Sequence, residues 1–343
     1  MPGELSKSAE TPESIAVIGA GSWGTALAIQ LARQGRKCML WGRNPEQVSK
    51  MAEQRSNDRF LPGIRFPAML APEADIHQAV EACDEFILAV PSHAFLQTLK
   101  LIRSDLREGQ GVGWACKGLE PGSGRFLHQS AQDLLAEDRP MAVVTGPSFA
   151  AEVARDLPTA VTVAGTDDPF CRRLASALHG GSFRAYTSND IIGAELGGAV
   201  KNVLAVATGI SDGMGFGDNA RAALVTRGLA EMMRLGTALG AAPKTLMGLA
   251  GMGDLVLTCT GDLSRNRRLG LALGRGDKLD QAVADIGQVV EGVSTAEEVW
   301  RLAQRNQVDM PIAEQVYGII HRGEDPEACV RELLSREQKP EHH

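Results

Sequence analysis

The sequence predicts an α/β protein: an N-terminal doubly wound, Rossmann-type domain followed by an all-helical C-terminal domain. Three observations carry this prediction. Up to about residue 188, short β-branched runs alternate with helical stretches. From Asp190 onward the strand signal disappears and helix punctuation takes over. The first β-branched run also leads straight into a glycine-rich turn and then into a helix.

The expected strands, in order, are Ile15–Ile18, Cys38–Trp41, Phe86–Val90, Val112–Cys116, Met141–Val144 and Ala160–Ala164, each bounded by glycine, proline or polar residues. Short, almost continuously apolar runs of this kind suit parallel strands covered by helices on both faces. In the second half, Ser294-Thr-Ala-Glu297 reads as a capping box. Asp325 before Pro326, and Pro311 at the head of an apolar-periodic run, put proline where a first helical turn accepts it. Gly240, Gly274 and Gly323 fall where helices should stop. The expected divisions are therefore a polar, disordered tail over 1–13, a nucleotide-binding domain over 14–189, a helical substrate domain over 190–336 and a tail over 337–343. No internal repeat or low-complexity tract is visible.

Composition narrows the class. The 343 residues are 44% hydrophobic and 22% charged, ordinary for a soluble globular chain. A formal net charge of −7 argues against a nucleic-acid partner, which would need a basic face. The six cysteines (Cys38, Cys83, Cys116, Cys171, Cys259 and Cys329) are scattered and form no Cys-x-x-Cys pair, so they read as free thiols of a reducing cytosol. The opening MPGELSKSAETPE lacks an apolar signal core, which points to a cytoplasmic protein. The stretch Ile191–Ser211 is apolar but contains Glu195, Lys201 and Asn202, so it reads as a buried helix and no integral membrane segment is expected.

The glycine-rich turn is Gly19-Ala-Gly21-Ser22-Trp23-Gly24, with G-x-G-x-x-G spacing. Its first glycine permits a tight turn, its second lets the backbone approach a pyrophosphate, and its third lets helix pack on strand. The helix that follows offers unpaired N–H groups and a positive dipole end to phosphates. A nicotinamide dinucleotide is the expected cofactor. The second run ends in Trp41-Gly42-Arg43, an arginine where an NAD-specific protein would place a carboxylate for the ribose 2′-hydroxyl. NADP (as NADPH) should be accepted alongside or ahead of NAD (as NADH).

Candidate chemistry lies among the remaining residues. Neither tyrosine heads a Tyr-x-x-x-Lys motif, since Tyr186 is followed by Asp190 and Tyr317 by His321, which excludes the short-chain dehydrogenases. There is no His-Glu-x-x-His or cysteine-rich zinc pattern, so no metal is expected. His93, after a strand end, has no visible orienting partner for a general base. Lys201 is the better candidate. Its helical neighbours are Gly197, Gly198, Leu204 and Ala205, and burial on such a face lowers an ammonium's pKa toward neutrality. A second cluster runs from Gly251 through Asp254 and Thr258 to Ser264-Arg265-Asn266-Arg267-Arg268. Ser264 can cap a helix whose first turn carries guanidinium groups, a good grip for a phosphate. Cys259 has no histidine partner and reads as packing.

Taken together, Gly19–Ala26, Cys116-Lys117-Gly118, Thr145–Ala150, Lys201-Asn202, Gly251–Asn266 and Gly287–Gly292 resemble the bacterial NAD(P)-dependent glycerol-3-phosphate dehydrogenases. The resemblance runs in order from about residue 14 to residue 320. It implies reversible reduction of dihydroxyacetone phosphate to sn-glycerol 3-phosphate for glycerophospholipid synthesis, with Lys201 as proton acceptor in the oxidative direction. It implies substrate contacts for Lys117, Gly146, Ser148, Lys201, Asn202, Asp254, Thr258, Ser264, Arg265 and Asn266. Cofactor contacts are implied for Gly19, Gly21, Ser22, Trp23, Gly24, Arg43, Ala150, Val289 and Glu291, and Lys117 and Arg265 would touch both ligands. Asp254 is expected to orient the two lysines. The polar extension before Ser14 departs from the family's short N-terminus, and a homodimer is the assembly kept in view. A β-hydroxyacid or 6-phosphogluconate-type dehydrogenase also joins such domains and uses lysine; a non-catalytic NADPH sensor would keep the glycines but have no use for a buried Lys201.

Overall fold

A computed structural model describes residues 11–135 and 138–336. Most of the N-terminal tail and all of the C-terminal one read from the sequence lie outside these residues. The first half comprises β1 (Ser14–Ile18), α1 (Ser22–Arg33), β2 (Lys37–Trp41), α2 (Pro45–Gln54), β3 (Leu70–Glu73), α3 (Ile76–Glu81), β4 (Glu85–Leu88), α4 (Phe95–Ile102), β5 (Val112–Trp114), α5 (Leu127–Gln132), β6 (Met141–Thr145), α6 (Ala150–Ala154), β7 (Thr159–Gly165), α7 (Asp168–Leu178) and β8 (Phe183–Ser188). The second half is helical: α8 (Ile191–Gly213), α9 (Asp218–Ala238), α10 (Pro243–Leu246), a π-turn over Leu249–Gly253, α11 (Asp254–Thr260), α12 (Arg265–Gly274), α13 (Leu279–Ile286), α14 (Glu291–Arg305), α15 (Pro311–Tyr317), a second π-turn over Gly318–Arg322, and α16 (Pro326–Ser335).

The eight strands form one sheet in the order β3-β2-β1-β4-β5-β6-β7-β8. The first six are parallel and have the strand order of a dinucleotide-binding fold, so the chain reverses direction across the sheet between β1 and β4. Ligands of such sheets sit beyond the carboxyl ends of the strands at that switch point. In β1, Ile15 and Val17 pack with Leu27 and Phe170 on one face, while Ala16 and Ile18 pack with Phe86 and Trp114 on the other. Burial on both faces is why these strands read as unbroken apolar runs.

The structure corrects the sequence reading in several places. β3 and β8 were not expected; they form the two edges of the sheet. An edge strand tolerates the proline of Leu-Ala-Pro-Glu in β3, and in β8 only Phe183 is buried, so neither carries the continuous apolar signal. The expected parallel direction fails at β7, which runs antiparallel to β6. Two covered faces give the same apolar run whichever way a strand points. β4 and β5 stop at Leu88 and Trp114, short of the expected Val90 and Cys116.

Among the helices, Asp325 caps α16 by accepting from Ala328 N at 3.0 Å, and Pro311 opens α15, both as expected. Ser294, by contrast, is not an N-cap: α14 starts at Glu291, and the Ser294 hydroxyl donates to Glu291 O at 3.2 Å. α12 does stop at Gly274, as expected, although the left-handed turn comes two residues later at Gly276, with φ +92°. A Cβ at Gly274 would lie 2.3 Å from Ile210 O, and one at Gly270 2.1 Å from Val206 O. These glycines also let the backbones of α12 and α8 touch. Helix α8 is long and apolar enough to cross a membrane, yet 89% of its apolar window is buried inside the fold, as the sequence reading expected.

Candidate active site

The glycine turn between β1 and α1 uses its three glycines for three different reasons. Gly19 has φ +127°, and a Cβ there would lie 2.6 Å from Ala89 O on the turn after β4. A Cβ on Gly24 would collide with Gly19 O at 1.9 Å, so this glycine seats α1 on its strand. Gly21 is the N-cap of α1, and a Cβ there would meet nothing within 4 Å. The backbone at Gly21 is thus open to a pyrophosphate, beside N–H groups that the helix itself cannot pair. Buried Asn57 holds the turn from outside, donating to Ala20 O at 3.0 Å and Thr25 Oγ1 at 2.8 Å.

Opposite this turn, two lysines from different halves of the chain meet one carboxylate. Lys117 follows β5, Lys201 lies on α8, and Asp254 opens α11 after the π-turn. Lys117 Nζ lies 2.8 Å from Asp254 Oδ2, and Lys201 Nζ lies 2.8 Å from Oδ1. Lys201 also donates to Thr258 Oγ1 at 3.0 Å, while that hydroxyl donates to Asp254 O at 2.6 Å. Lys117 donates further to Gly146 O at 2.9 Å and lies 3.5 Å from Ser148 Oγ, on the turn after β6. Its ammonium stands 5.8 Å from the centre of the Trp23 ring.

Electrostatics follow from this burial. Lys201 is 7% exposed and Asp254 1%. Burial lowers the Lys201 pKa to about 8; the Asp254 charge opposes that shift and Lys117 adds to it. Burial alone would raise the Asp254 carboxyl, but the two ammonium groups hold it below its ordinary range. Cys259 is buried and its thiol is pushed up to about 12 by desolvation, in keeping with a packing role.

The third part of the site is the start of α12. Ser264 accepts from Arg267 N at 3.2 Å, the cap read from the sequence. Arg265 is half-buried and donates to Val289 O at 2.7 Å, joining α12 to the segment before α14. Arg267 turns away: Nε and Nη2 donate to Asp212 Oδ2 at 3.0 and 2.7 Å, and Nη1 to Asp262 at 2.7 Å. It is therefore part of the scaffold, although the sequence places it beside Arg265 in the same basic first turn. Asn202 donates to Lys117 O at 2.9 Å and accepts from Asn266 Nδ2 at 2.8 Å, and Asn266 Oδ1 accepts from Gly292 N at 2.9 Å. This amide chain connects the Lys117 loop, α8, α12 and α14.

Of the residues singled out in the sequence, Lys117, Gly146, Ser148, Lys201, Asn202, Asp254, Thr258 and Asn266 fall in one hydrogen-bonded network. Arg43 is exposed just beyond β2, and its guanidinium has no hydrogen bond or ion pair among the described residues. Ala150 opens α6, Val289 is 42% exposed, and His93 is exposed on the turn after β4. Two contributors escaped the sequence reading. Asn57 sits in a loop with no motif, and Ser92 donates to Glu291 from 199 positions away, a separation no local pattern reveals.

A mostly parallel sheet of this order, an open glycine turn at its switch point and charged side chains gathered at the same strand ends define an NAD(P)-dependent oxidoreductase. Family models described as the N-terminus and C-terminus of NAD-dependent glycerol-3-phosphate dehydrogenase match residues 14–171 and 190–331. The chain belongs to the NAD-dependent glycerol-3-phosphate dehydrogenase family. It is 58% identical over 332 residues to the glycerol-3-phosphate dehydrogenase, NAD(P)+, of Stenotrophomonas maltophilia strain R551-3, covering 97% of both chains. Its fold matches the crystal structure of glycerol-3-phosphate dehydrogenase from Coxiella burnetii with a TM-score of 0.91 at 46% identity, over 94% of this chain and 99% of that one. The yeast enzyme, at 23% identity and a TM-score of 0.81 over 95% and 100% of the two chains, shares the fold.

Proposed function

We propose that the chain reversibly reduces dihydroxyacetone phosphate to sn-glycerol 3-phosphate with NADPH or NADH, in the cytoplasm, as a supplier of glycerophospholipid synthesis. The observation that carries this reading is the pair of lysines bridged by buried Asp254 at the strand ends that face the glycine turn. The residues present fit a nicotinamide dinucleotide: Gly21 leaves room where a Cβ would stand, and α1 points its free N–H groups there. When bound, that group supplies or accepts the hydride at its nicotinamide ring. The protein's own residues then hold the substrate and move its proton. Lys201 gives a proton to the C2 oxygen in reduction and takes it back in oxidation, and Asp254 aims Lys201 and Lys117. Ser264, Arg265 and Asn266 hold the phosphate with helix N–H groups and one guanidinium. Residues 14–189 act as the cofactor unit and 190–336 as the substrate unit, with a homodimer as the assembly for sedimentation to test.

One assay tests the reading: NADPH and NADH oxidation followed with dihydroxyacetone phosphate and, in parallel, with dihydroxyacetone. Turnover of the phosphate ester and near-silence with the free triose is the expected result, because binding energy at the phosphate positions the reacting carbon. Turnover of 3-hydroxyacid substrates in place of the phosphate ester would overturn it.

Cofactor choice gives a further prediction. Arg43→Ala should weaken NADPH more than NADH, by about 1.5–3 kcal/mol, the value of a hydrogen bond to a charged group. The motivation is an exposed guanidinium just beyond β2 that has no partner among the described residues. Equal losses for the two cofactors in parallel titrations would show that Arg43 does not read the 2′-phosphate.

A further inference from the structure

The carboxyl ends of β1 and β4 flank the switch point, and their two turns are in contact. A Cβ at Gly19 would lie 2.6 Å from Ala89 O and 3.1 Å from Val90 Cγ1. The turn after β4 continues into Ser92, which is 3% exposed. Both of its donors are directed at one group from the helical half: Ser92 N donates to Glu291 Oε1 at 3.2 Å, and Ser92 Oγ donates to Oε2 at 2.5 Å. Gly118, next to Lys117, is packed on the same pair, since a Cβ there would lie 2.8 Å from Ser92 Oγ and 3.3 Å from Glu291 Oε2.

Glu291 is also flanked by contacts within its own half. It opens α14; the next residue, Gly292, donates to Asn266 Oδ1, and Val289 O accepts from Arg265. A carboxylate that accepts two hydrogen bonds, one from a hydroxyl and one from a backbone N–H, is held in both position and orientation. The Ser92–Glu291 contact therefore joins three things: the turn beside the glycine loop, the loop that carries Lys117, and the segment that holds Arg265 and Asn266.

We propose that Ser92 is a positioning residue for the cofactor crevice, holding the Glu291 carboxylate so that the segment Val289–Gly292 is fixed against the turn that borders the glycine loop. The inference rests on the reading of that crevice as the dinucleotide site. Its consequence is selective: loosening Ser92 weakens dinucleotide binding first, while the proton-transfer group on α8 keeps its own anchors to Asp254 and Thr258.

The test uses the full chain and four variants: Ser92→Ala, Ser92→Thr, Glu291→Ala and the Ser92→Ala/Glu291→Ala double variant. NADPH affinity is measured by fluorescence titration, with steady-state kinetics and thermal melts beside it. Ser92→Ala should raise Kd and KM for NADPH about tenfold, the loss expected for one charge-assisted hydrogen bond, with kcat within about threefold. Ser92→Thr, which keeps the hydroxyl, should recover most of the affinity. The double variant should bind no worse than Glu291→Ala alone, because the serine acts through the carboxylate. An unchanged NADPH affinity in Ser92→Ala, additive losses in the double variant, or a loss of affinity that merely follows a fall in melting temperature would each overturn the proposal. A wild type that fails to bind NADPH would overturn the crevice reading itself; a wild type that binds beside an unaffected Ser92→Ala overturns this inference alone.

Discussion

Lys201→Ala should fold, bind NADPH with near-normal affinity and lose about 10²–10⁴-fold in kcat, the usual contribution of a positioned acid–base group. Folding should survive because Asp254 keeps Lys117 at 2.8 Å, so the deletion leaves no isolated buried carboxylate. The pH dependence gives the sharper test. Lys201 has a pKa lowered to about 8 by burial, with Asp254 opposing and Lys117 adding to the shift. Oxidation of glycerol 3-phosphate requires the neutral amine, so its rate should rise with pH through about 8. Reduction of dihydroxyacetone phosphate requires the ammonium, so its rate should fall through the same pH. Both limbs should vanish from the residual activity of the variant. Turnover within tenfold of wild type, or limbs that persist without the lysine, would remove Lys201 from the proton-transfer role.

Asp254→Ala should be the most damaging substitution to the protein as a whole. It leaves two ammonium groups, on side chains only 14% and 8% exposed, facing a space that no longer holds their counter-charge. Removing one partner from a buried ion pair costs about 3–5 kcal/mol, to be read as a lower urea midpoint at unchanged slope. The sign with pH follows from the carboxyl. Burial alone would raise its pKa, but the two lysines hold it below the ordinary 3.8. The stability that the charge contributes is therefore fully present above that value and is lost as pH falls through the lower folded-state value. On the acid side, the gap between wild type and variant should narrow only in strong acid. Asp254→Asn separates charge from size: it should move the Lys201 limb below 8, because the charge that kept the ammonium stable is gone. A limb that stays in place would show that Asp254 does not set the proton affinity of Lys201.

Much of this is legible in the sequence. The three glycines of the turn answer to local backbone demands: a positive φ at Gly19, and a helix start that must approach a ligand at Gly21. Such demands are met within a few residues, so spacing reveals them. The burial of Lys201 was equally readable, because small apolar neighbours one turn away on a helix leave its stem no route to water. The caps at Ser264 and Asp325 were local in the same sense, each closing a bond three residues ahead.

Where the reading failed, the deciding contact lay far off in the chain. Ser294 had the spacing of a cap, but the chain had already turned helical at Glu291, which is held by Ser92. Arg267 had the same local credentials as Arg265. Asp212, 55 positions away, captures Arg267, while Arg265 turns to the segment before α14. The direction of β7 escaped for a related reason, since an apolar run records that both faces are covered and says nothing of polarity.

By itself the sequence determined the fold class, the dinucleotide turn and the identity of the buried lysine, because each depends on backbone conformation or side-chain exposure over a few residues. Only the tertiary structure decided that one carboxylate would serve two lysines, 137 and 53 positions away, and that Arg267 would be captured by Asp212 while Arg265 donates to Val289 O. Those choices depend on how closely helices approach. That approach is set where Gly270 and Gly274 of α12 meet the backbone of α8, with no room for even a methyl group between them.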